Sequence, residues 1–439
     1  MFTVDLFLNE GGFFGDNQQV TAIHQQLDKE YRETETIRFV TYKDNDATTP
    51  QQLSDNFETS DDQEHIFILS GSHGFEFIQK NPKVQAIIGQ KKPIVIWFGH
   101  QDPVDLVSLE KHLNIVALPK YIFTIRPELK SLFAGRYIEM QSVPNTLTEE
   151  ALSTAKKTWD SAYPQEAIRP ASNSCSYMGV FLGGDAPKRD KTHLYWDEKE
   201  AYEQGLAFGA IAQKEKKHLL ITNGPRTGKF DPQSPDPKNP VVRAPHTESS
   251  PLDPVSVAFL TGLKKSGIPD TQYQFFDFKF GKPPKSAYKA IIAALRETPN
   301  SVAVYSGESI SYAEIAYFIP QTYAFLTSSM HDEHHEALQQ FETLGLIRIL
   351  NFEKPLSTQL IDILKQQVAR RAGANDIDNI IRRLNALKKP DNTSQKGFMP
   401  LLETVQQNAL PKPDVLPDSQ HVQVTPKTLS PSAQPVGMK

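Results

Sequence analysis

Tyr177-Met178-Gly179-Val180-Phe181-Leu182-Gly183-Gly184 is the stretch on which the fold turns. Six residues of strand character run straight into a glycine pair. A near-continuous apolar run of this length reads as a strand buried on both faces of a parallel sheet. The glycines let other backbone approach the strand end closely. The stretch follows a polar segment, residues 160–176, and it restarts a rhythm already heard once earlier in the chain.

Working outward, the C-terminal side predicts helix 198–217 and strand 219–222, which ends at Asn223-Gly224-Pro225. Helix 255–265, strand 273–278, helix 287–296, strand 302–305 and helix 312–318 follow. Strand 323–326, helix 333–344, strand 346–350 and helix 359–371 close the series. On the N-terminal side, the apolar run 4–8 leads to Gly11-Gly12. Helix 17–32 carries Val20, Ile23, His24 and Leu27 on one face. Strands are expected at 37–42, 66–69, 94–98 and 115–118. Thr148, followed by Glu149 and Glu150, begins a helix through Trp159. Strand–helix alternation, run twice, predicts an α/β protein of two domains with parallel sheets, joined near residue 165, which would bind ligands in the cleft between them. The expected domains are 1–165 and 166–389. A proline-rich loop at 231–254 and a disordered proline-rich tail at 390–439 complete the layout.

Composition agrees with this layout. The chain has 439 residues, 38% hydrophobic and 23% charged, enough to bury cores. Of its 32 prolines, 7 lie in 231–254 and 8 in 390–439. The net charge of −5 argues against a surface that coats nucleic acid. A single cysteine, Cys175, excludes an intramolecular disulfide framework and a Cys-rich zinc site. The start, Met1-Phe2-Thr3-Val4-Asp5, has no basic region before an apolar run, so no Sec signal is expected. No apolar run approaches the ~20 residues of a membrane helix. The expected location is cytoplasmic. Secretion as a bacterial effector without a Sec signal, and peripheral membrane contact, stay open.

Three strand ends carry chemistry. Gly11-Gly12-Phe13-Phe14-Gly15-Asp16-Asn17-Gln18 joins a strand to a helix whose free N–H groups suit a polar ligand. Thr222-Asn223-Gly224-Pro225-Arg226-Thr227-Gly228-Lys229 places Arg226 where its planar fork can hold a diphosphate. Its Gly-Lys spacing is one residue short of a phosphate loop, and no helix follows. Ser306-Gly307-Glu308-Ser309-Ile310-Ser311-Tyr312-Ala313-Glu314 offers serines for helix capping and phosphate. Glu314 there suits vicinal ribose hydroxyls. His331-Asp332-Glu333-His334-His335 lacks the His-Glu-x-x-His pattern and reads as a polar helix start, not a metal centre. Ser70-Gly71-Ser72-His73-Gly74 is not a nucleophile elbow.

In order, these segments resemble the elongated-mitochondria mitochondrial fission family, which has many bacterial members and is similar to GT-B glycosyltransferases. The matching pieces are Gly15-x-Asn17-Gln18, Pro119, Val143-Pro144-Asn145-x-Leu147-Thr148 and Phe181-Leu182-Gly183-Gly184. They continue with Ile221-Thr222 to Arg226-Thr227, Ser306 to Glu314, and Phe341-Glu342-x-Leu344-x-x-x-Arg348. The resemblance covers roughly residues 3–350. It departs at Phe318-Ile319-Pro320-Gln321, where only the proline is kept, and at Pro119-Lys120-Tyr121-Ile122.

The resemblance implies a GT-B-like fold, two Rossmann-like domains with parallel sheets facing across a cleft, with 1–165 on the acceptor side and 166–389 on the nucleotide-sugar side. It implies a glycosyltransferase that moves a sugar from a nucleotide-sugar donor to an acceptor, with no cofactor and no bound metal. Ser306, Gly307 and Ser309 would face the pyrophosphate, and Glu314 the ribose. Arg226, with Thr227 beside it, would neutralise the leaving diphosphate. Gly15, Asn17 and Gln18 would lie toward acceptor or sugar. His100 and Asp16 are the expected catalytic residues, ahead of His73 and Asp102. Two alternatives stand beside this reading. One is a non-catalytic adaptor or secreted effector that recruits a protein partner through 390–439. The other is a nucleotide-sugar epimerase.

Overall fold

The computed structural model describes residues 2–8, 14–31, 37–43, 46–59, 64–99, 110–140, 146–170, 175–188, 192–306, 316, 318–319, 321–351 and 378–387. The predicted helices 312–318 and 359–371 fall mostly or wholly outside these residues, as does the tail 390–439.

The first sheet holds β1 (Phe2–Leu8), β2 (Ile37–Lys43), β3 (Glu64–Ser70), β4 (Ile94–Phe98), β5 (Ile115–Pro119) and β6 (Tyr137–Met140). All pair parallel, in the order β2-β1-β3-β4-β5-β6. The second sheet begins with β7 (Ser176–Leu182), beside a small antiparallel ribbon of β8 (Ala186–Pro187) and β9 (His193–Leu194). It continues with β10 (Lys217–Thr222), β11 (Tyr273–Phe276), β12 (Val302–Ser306), β13 (Thr322–Phe325) and β14 (Arg348–Ile349). Its order, again all parallel, is β11-β10-β7-β12-β13-β14. The connecting helices are α1 (Phe14–Tyr31), α2 (Thr49–Thr59), α3 (Gly71–Gln79), α4 (Pro82–Lys91), α5 (Lys120–Ile125) and α6 (Glu128–Leu132). They continue with α7 (Glu149–Ala162), α8 (Glu198–Lys214), α9 (Pro254–Lys265), α10 (Tyr288–Glu297) and a further helix, Asp332–Thr343.

The strand period of two sorts the core. Val4, Leu6, Ile66 and Ile68 face α1, where Val20, Ile23 and Leu27 are buried. Phe7, Phe67 and Leu69 point the other way, into a core with Phe57 and Phe77. Both faces of β3 are therefore dry, which is why its sequence reads as one apolar run. β6 had no sequence expectation. It is four residues long, half-buried at a sheet edge, and its Glu139 breaks the apolar pattern.

Two helices cross between the halves. α7 starts on the expected cap, with the Thr148 hydroxyl accepting from Ala151 N–H at 3.0 Å. Its Trp159 meets Phe276 of β11 edge-on at 5.9 Å, so α7 packs with the second sheet. The helix over 378–387 returns to the first sheet and buries Ile380, Ile381 and Leu384 against the α1 face. Tyr31 donates to Asn385 Oδ1 there, and Asn385 Nδ2 donates to Glu30 at 3.2 Å. No helix of the described residues is long and apolar enough to cross a membrane.

His218, in β10, is 6% exposed and its Nε2 has no hydrogen-bond partner. Burial first, and then the Arg169 charge, push its imidazole down to about 4. A folded-state value below the unfolded one gives stability that is present above pH ~6.5 and lost as pH falls toward 4. The loss is on the order of 2–3 kcal/mol. His218→Phe should therefore flatten the acid side of the stability curve, read as urea midpoints at pH 7 and pH 4.5. An unchanged midpoint difference in the variant would refute the assignment.

Candidate functional site

In the second sheet the strand order reverses at β7. β10 lies to one side of it and β12 to the other. Ligands of open parallel sheets bind at such switch points, beyond the carboxyl ends of the strands. The ends of β7, β10 and β12 are Gly183-Gly184, Asn223 to Lys229, and Ser306. Gly183-Gly184, the Asn223–Lys229 turn and Ser306 thus meet at one place.

The Asn223–Lys229 turn is held from below. Thr227 is fully buried, and its hydroxyl lies 3.1 Å from Leu182 O and 2.5 Å from Gly183 O. It accepts the Gly224 N–H at 2.9 Å. A single side chain therefore ties the turn to the end of β7. Gly184 has to be glycine for the same contact: a Cβ there would lie 2.3 Å from the Arg226 carbonyl carbon. Asn223 uses all of its amide. Its Nδ2 donates to Asp253 Oδ2 at 3.0 Å and Asp277 Oδ1 at 2.9 Å, and its Oδ1 accepts Phe278 N–H at 2.6 Å. Asp253 also caps α9, accepting Ser256 N–H at 2.8 Å. Burial raises the Asp253 carboxyl above its usual range.

The proline-rich stretch 231–254 is the wall of this turn. Phe230 and Val242 form an antiparallel bridge, and Arg243 N–H donates to Lys229 O at 2.9 Å. The ring of His246, buried, lies 2.9 Å from Thr227 O through Nε2. Sequence reading found the loop but not His246. Its signal was a lone histidine among prolines, and its partner is 19 residues away.

Asp185 is the other residue that the sequence did not single out. It is 1% exposed, three residues past β7. Its Oδ1 accepts Trp196 N–H at 3.2 Å, its Oδ2 accepts Phe230 N–H at 3.0 Å, and its own N–H donates to Arg226 O at 3.0 Å. Burial is the largest influence and raises its carboxyl to about 6; the charges of Arg243 and Arg226 pull the other way. Lys229 is lowered, by burial first and then by Arg226.

The remaining candidate residues fall as follows. Ser306 is buried at the end of β12, where its hydroxyl donates to Gln204 of α8 and its carbonyl accepts Gly183 N–H. Gly307, Ser309, Glu314, His100 and Asp102 lie outside the described residues. Gly15 and Asp16 lie in the first turn of α1, and His73 in α3, with their side chains outside the description. Asn17 and Gln18 are half-buried in α1. Gln18 Oε1 accepts from Thr146 at 3.4 Å, and Asn17 O accepts from Thr21 at 2.8 Å. These last two belong to the first sheet, whose own order reverses between β1 and β3. In the histidine-rich segment, His331 precedes helix Asp332–Thr343 and His334 is buried.

No protein family matches the chain, and no curated protein matches it. Solved structures do. UDP-GlcNAc 2-epimerase from Neisseria meningitidis, bound to UDP-GlcNAc, aligns with a TM-score of 0.51 at 11% identity, over 88% of this chain and 100% of that one. MnaA of S. aureus with UDP aligns at 0.47 and 7%, over 90% and 100%. MurG of Acinetobacter baumannii aligns at 0.43 and 9%, over 87% and 100%. The fold is α/β and GT-B-like. The resemblance to the elongated-mitochondria mitochondrial fission family rests on the sequence motifs alone.

Proposed function

We propose that the protein is a GT-B-type glycosyltransferase that takes a sugar from a nucleotide-sugar donor. The observation behind this reading is the convergence of Gly183-Gly184, Arg226-Thr227 and Ser306 at the switch point of the second sheet. In the proposal Arg226 neutralises the diphosphate as it leaves, which is where charge develops in such a transfer. Gly307, Ser309 and Glu314 complete the donor site from the β12 side. His100 or Asp16, from the first half, serves as the base that activates the acceptor.

A nucleotide-sugar epimerase is the second reading. It is favoured by one observation, the alignment with a 2-epimerase that holds UDP-GlcNAc. The two separate on products: an epimerase returns an altered nucleotide sugar, and a transferase releases the nucleoside diphosphate.

Calorimetric titration with UDP-, GDP-, ADP- and CMP-sugars tests the shared premise. A bound donor at a hundred times its Kd raises stability by about 2.7 kcal/mol, readily seen as a thermal shift. Arg226→Ala should weaken donor binding about 100-fold, the value of a charged, two-oxygen contact. The proposal fails if none of the four donor classes binds, or if Arg226→Ala binds its donor as the wild type does.

A further inference from the structure

One buried carboxyl is bonded to the turn that carries Arg226 and Lys229 and that Arg243 crosses: Phe230 N–H donates to Asp185 Oδ2 at 3.0 Å, Asp185 N–H donates to Arg226 O at 3.0 Å, and Arg243 Nε donates to Gly228 O at 3.3 Å. Arg226 and Arg243 act on Asp185 through their charges, and Lys229 senses both Arg226 and Asp185. Arg243 is anchored from two sides: its Nε donates to Gly228 O at 3.3 Å and its Nη1 to Glu198 at 2.8 Å. Lys229 Nζ sits over the Phe230 ring at 5.1 Å. Both Asp185 oxygens are held by backbone N–H groups, of Trp196 and Phe230, so the carboxyl cannot swing away from the cluster. Tyr195 also feels the Asp185 charge, together with Asp231. The charged and titratable groups at this turn are therefore Arg226, Lys229, Arg243 and Tyr195, with Asp231 and Glu198 at one remove, His193 against Phe230 at 4.8 Å, and His246 on Thr227 O.

The two backbone N–H bonds account for a carboxyl at this position, since an amide would accept only one of them. Its charge has a second consequence. What the ionised carboxyl does is cancel one of the positive charges at the place where a diphosphate would lie. We propose that Asp185 is a positioning residue of the anion subsite, the fixed counter-charge that sets how tightly Arg226, Lys229 and Arg243 hold a nucleoside diphosphate. The inference rests on the donor-site reading above.

The sign follows from the charges. With its titration near 6, Asp185 carries a negative charge at pH 8 and little at pH 5. Uptake of a proton leaves the cluster one unit more positive, so a diphosphate binds more tightly at low pH. A bound diphosphate in turn favours that proton, as linkage requires.

Inorganic pyrophosphate is titrated into the full chain and into Asp185→Asn, at pH 8 and pH 5. Pyrophosphate changes its own charge over this range, so the quantity to read is the ratio of the two proteins' Kd values at each pH. On going from pH 8 to pH 5 the wild type should gain about tenfold relative to Asp185→Asn. An equal ratio at both pH values overturns the inference, as does the absence of pyrophosphate binding to the wild type. If Asp185→Asn does not fold, sulfate, whose charge is constant from pH 5 to 8, is titrated into the wild type, His193→Gln and His246→Gln. Severalfold tighter sulfate binding at pH 5 in all three supports the inference; equal binding at the two pH values, or a pH dependence lost with either histidine, overturns it. Pyrophosphate binding with this dependence, but no nucleotide-sugar binding, would leave Asp185 in its role and remove the transferase reading. Nucleotide-sugar binding with a flat ratio would do the reverse.

Discussion

Replacing His65 by leucine should cost about 3–5 kcal/mol of stability at pH 8, and clearly less at pH 5. His65 is the second residue of β3, and its Nδ1 lies 2.7 Å from Asp5 Oδ2 in the middle of β1. Both side chains are almost wholly buried, and the Tyr42 hydroxyl also bonds the Asp5 carboxyl. The Phe57 ring lies tilted against the imidazole, centroids 3.9 Å apart, and Asn56 Nδ2 donates to the Tyr42 hydroxyl at 2.5 Å beside the pair. Burial raises the Asp5 carboxyl, and the His65 hydrogen bond is the largest influence holding it down. Without His65 the carboxylate keeps only the Tyr42 hydroxyl and the Arg38 charge against its burial, and it escapes by taking a proton. A raised folded-state value means stability that is present at low pH and lost as pH rises, which fixes the sign. Urea midpoints at the two pH values measure it. The double variant Asp5→Leu with His65→Leu should recover much of the loss, since no charge is then buried alone. Equal losses at pH 5 and pH 8 would show that Asp5 is not the group responsible.

A methyl group on Gly205 should lower stability by about 2 kcal/mol, net of the helix propensity that alanine adds. α8 and α9 lie so close that a Cβ at Gly205 would come within 1.9 Å of Phe259 O. The reciprocal Gly262 would meet Tyr202 O at the same distance, and Gly209 would meet Ser266 Oγ at 2.0 Å. Backbone carbonyls in helices do not step aside, so the two axes must separate. Separation exposes a contact that covers Phe208, Phe259 and Leu263 on the outer face of the second sheet. Gly205→Ala and Gly262→Ala act on one interface. Their combined cost should be less than the sum, because the first methyl already moves the helices apart. Denaturant midpoints of the two single variants and the double variant decide this. A neutral or stabilising Gly205→Ala would mean that the helices are not packed this closely.

The glycines show how the sequence informs and where it stops. Gly205 and Gly209 sit four apart inside a strongly helical segment, where each costs about 1 kcal/mol relative to alanine. That spacing says that one face of α8 must be approached closely, but nothing in it names α9. The strand 176–182 and the capped start of α7 were legible because their causes are local: a run of buried side chains, and a hydroxyl three residues from the N–H it accepts. Asp185 and His246 were not. Asp185 is bonded to Phe230, 45 residues on, and His246 to Thr227. Both are ordinary polar residues until the chain folds. Asp5 is similar: an aspartate inside an apolar strand is visible, but its histidine lies 60 residues away.

By itself, then, the sequence determined the alternation of strands and helices, the two parallel sheets and the three glycine-bearing strand ends. Periodicity and turn chemistry act over a few residues and are written along the chain. Only the tertiary structure decided that β10 and β12 flank β7, and so that Gly183-Gly184, Arg226-Thr227 and Ser306 share one place. It alone bonded the Asp185 carboxyl to the turn that carries Arg226 and Lys229, and laid the proline-rich stretch along that turn. Strand order and the burial of charge depend on which distant segments exclude water from one another, and that is a property of the folded chain.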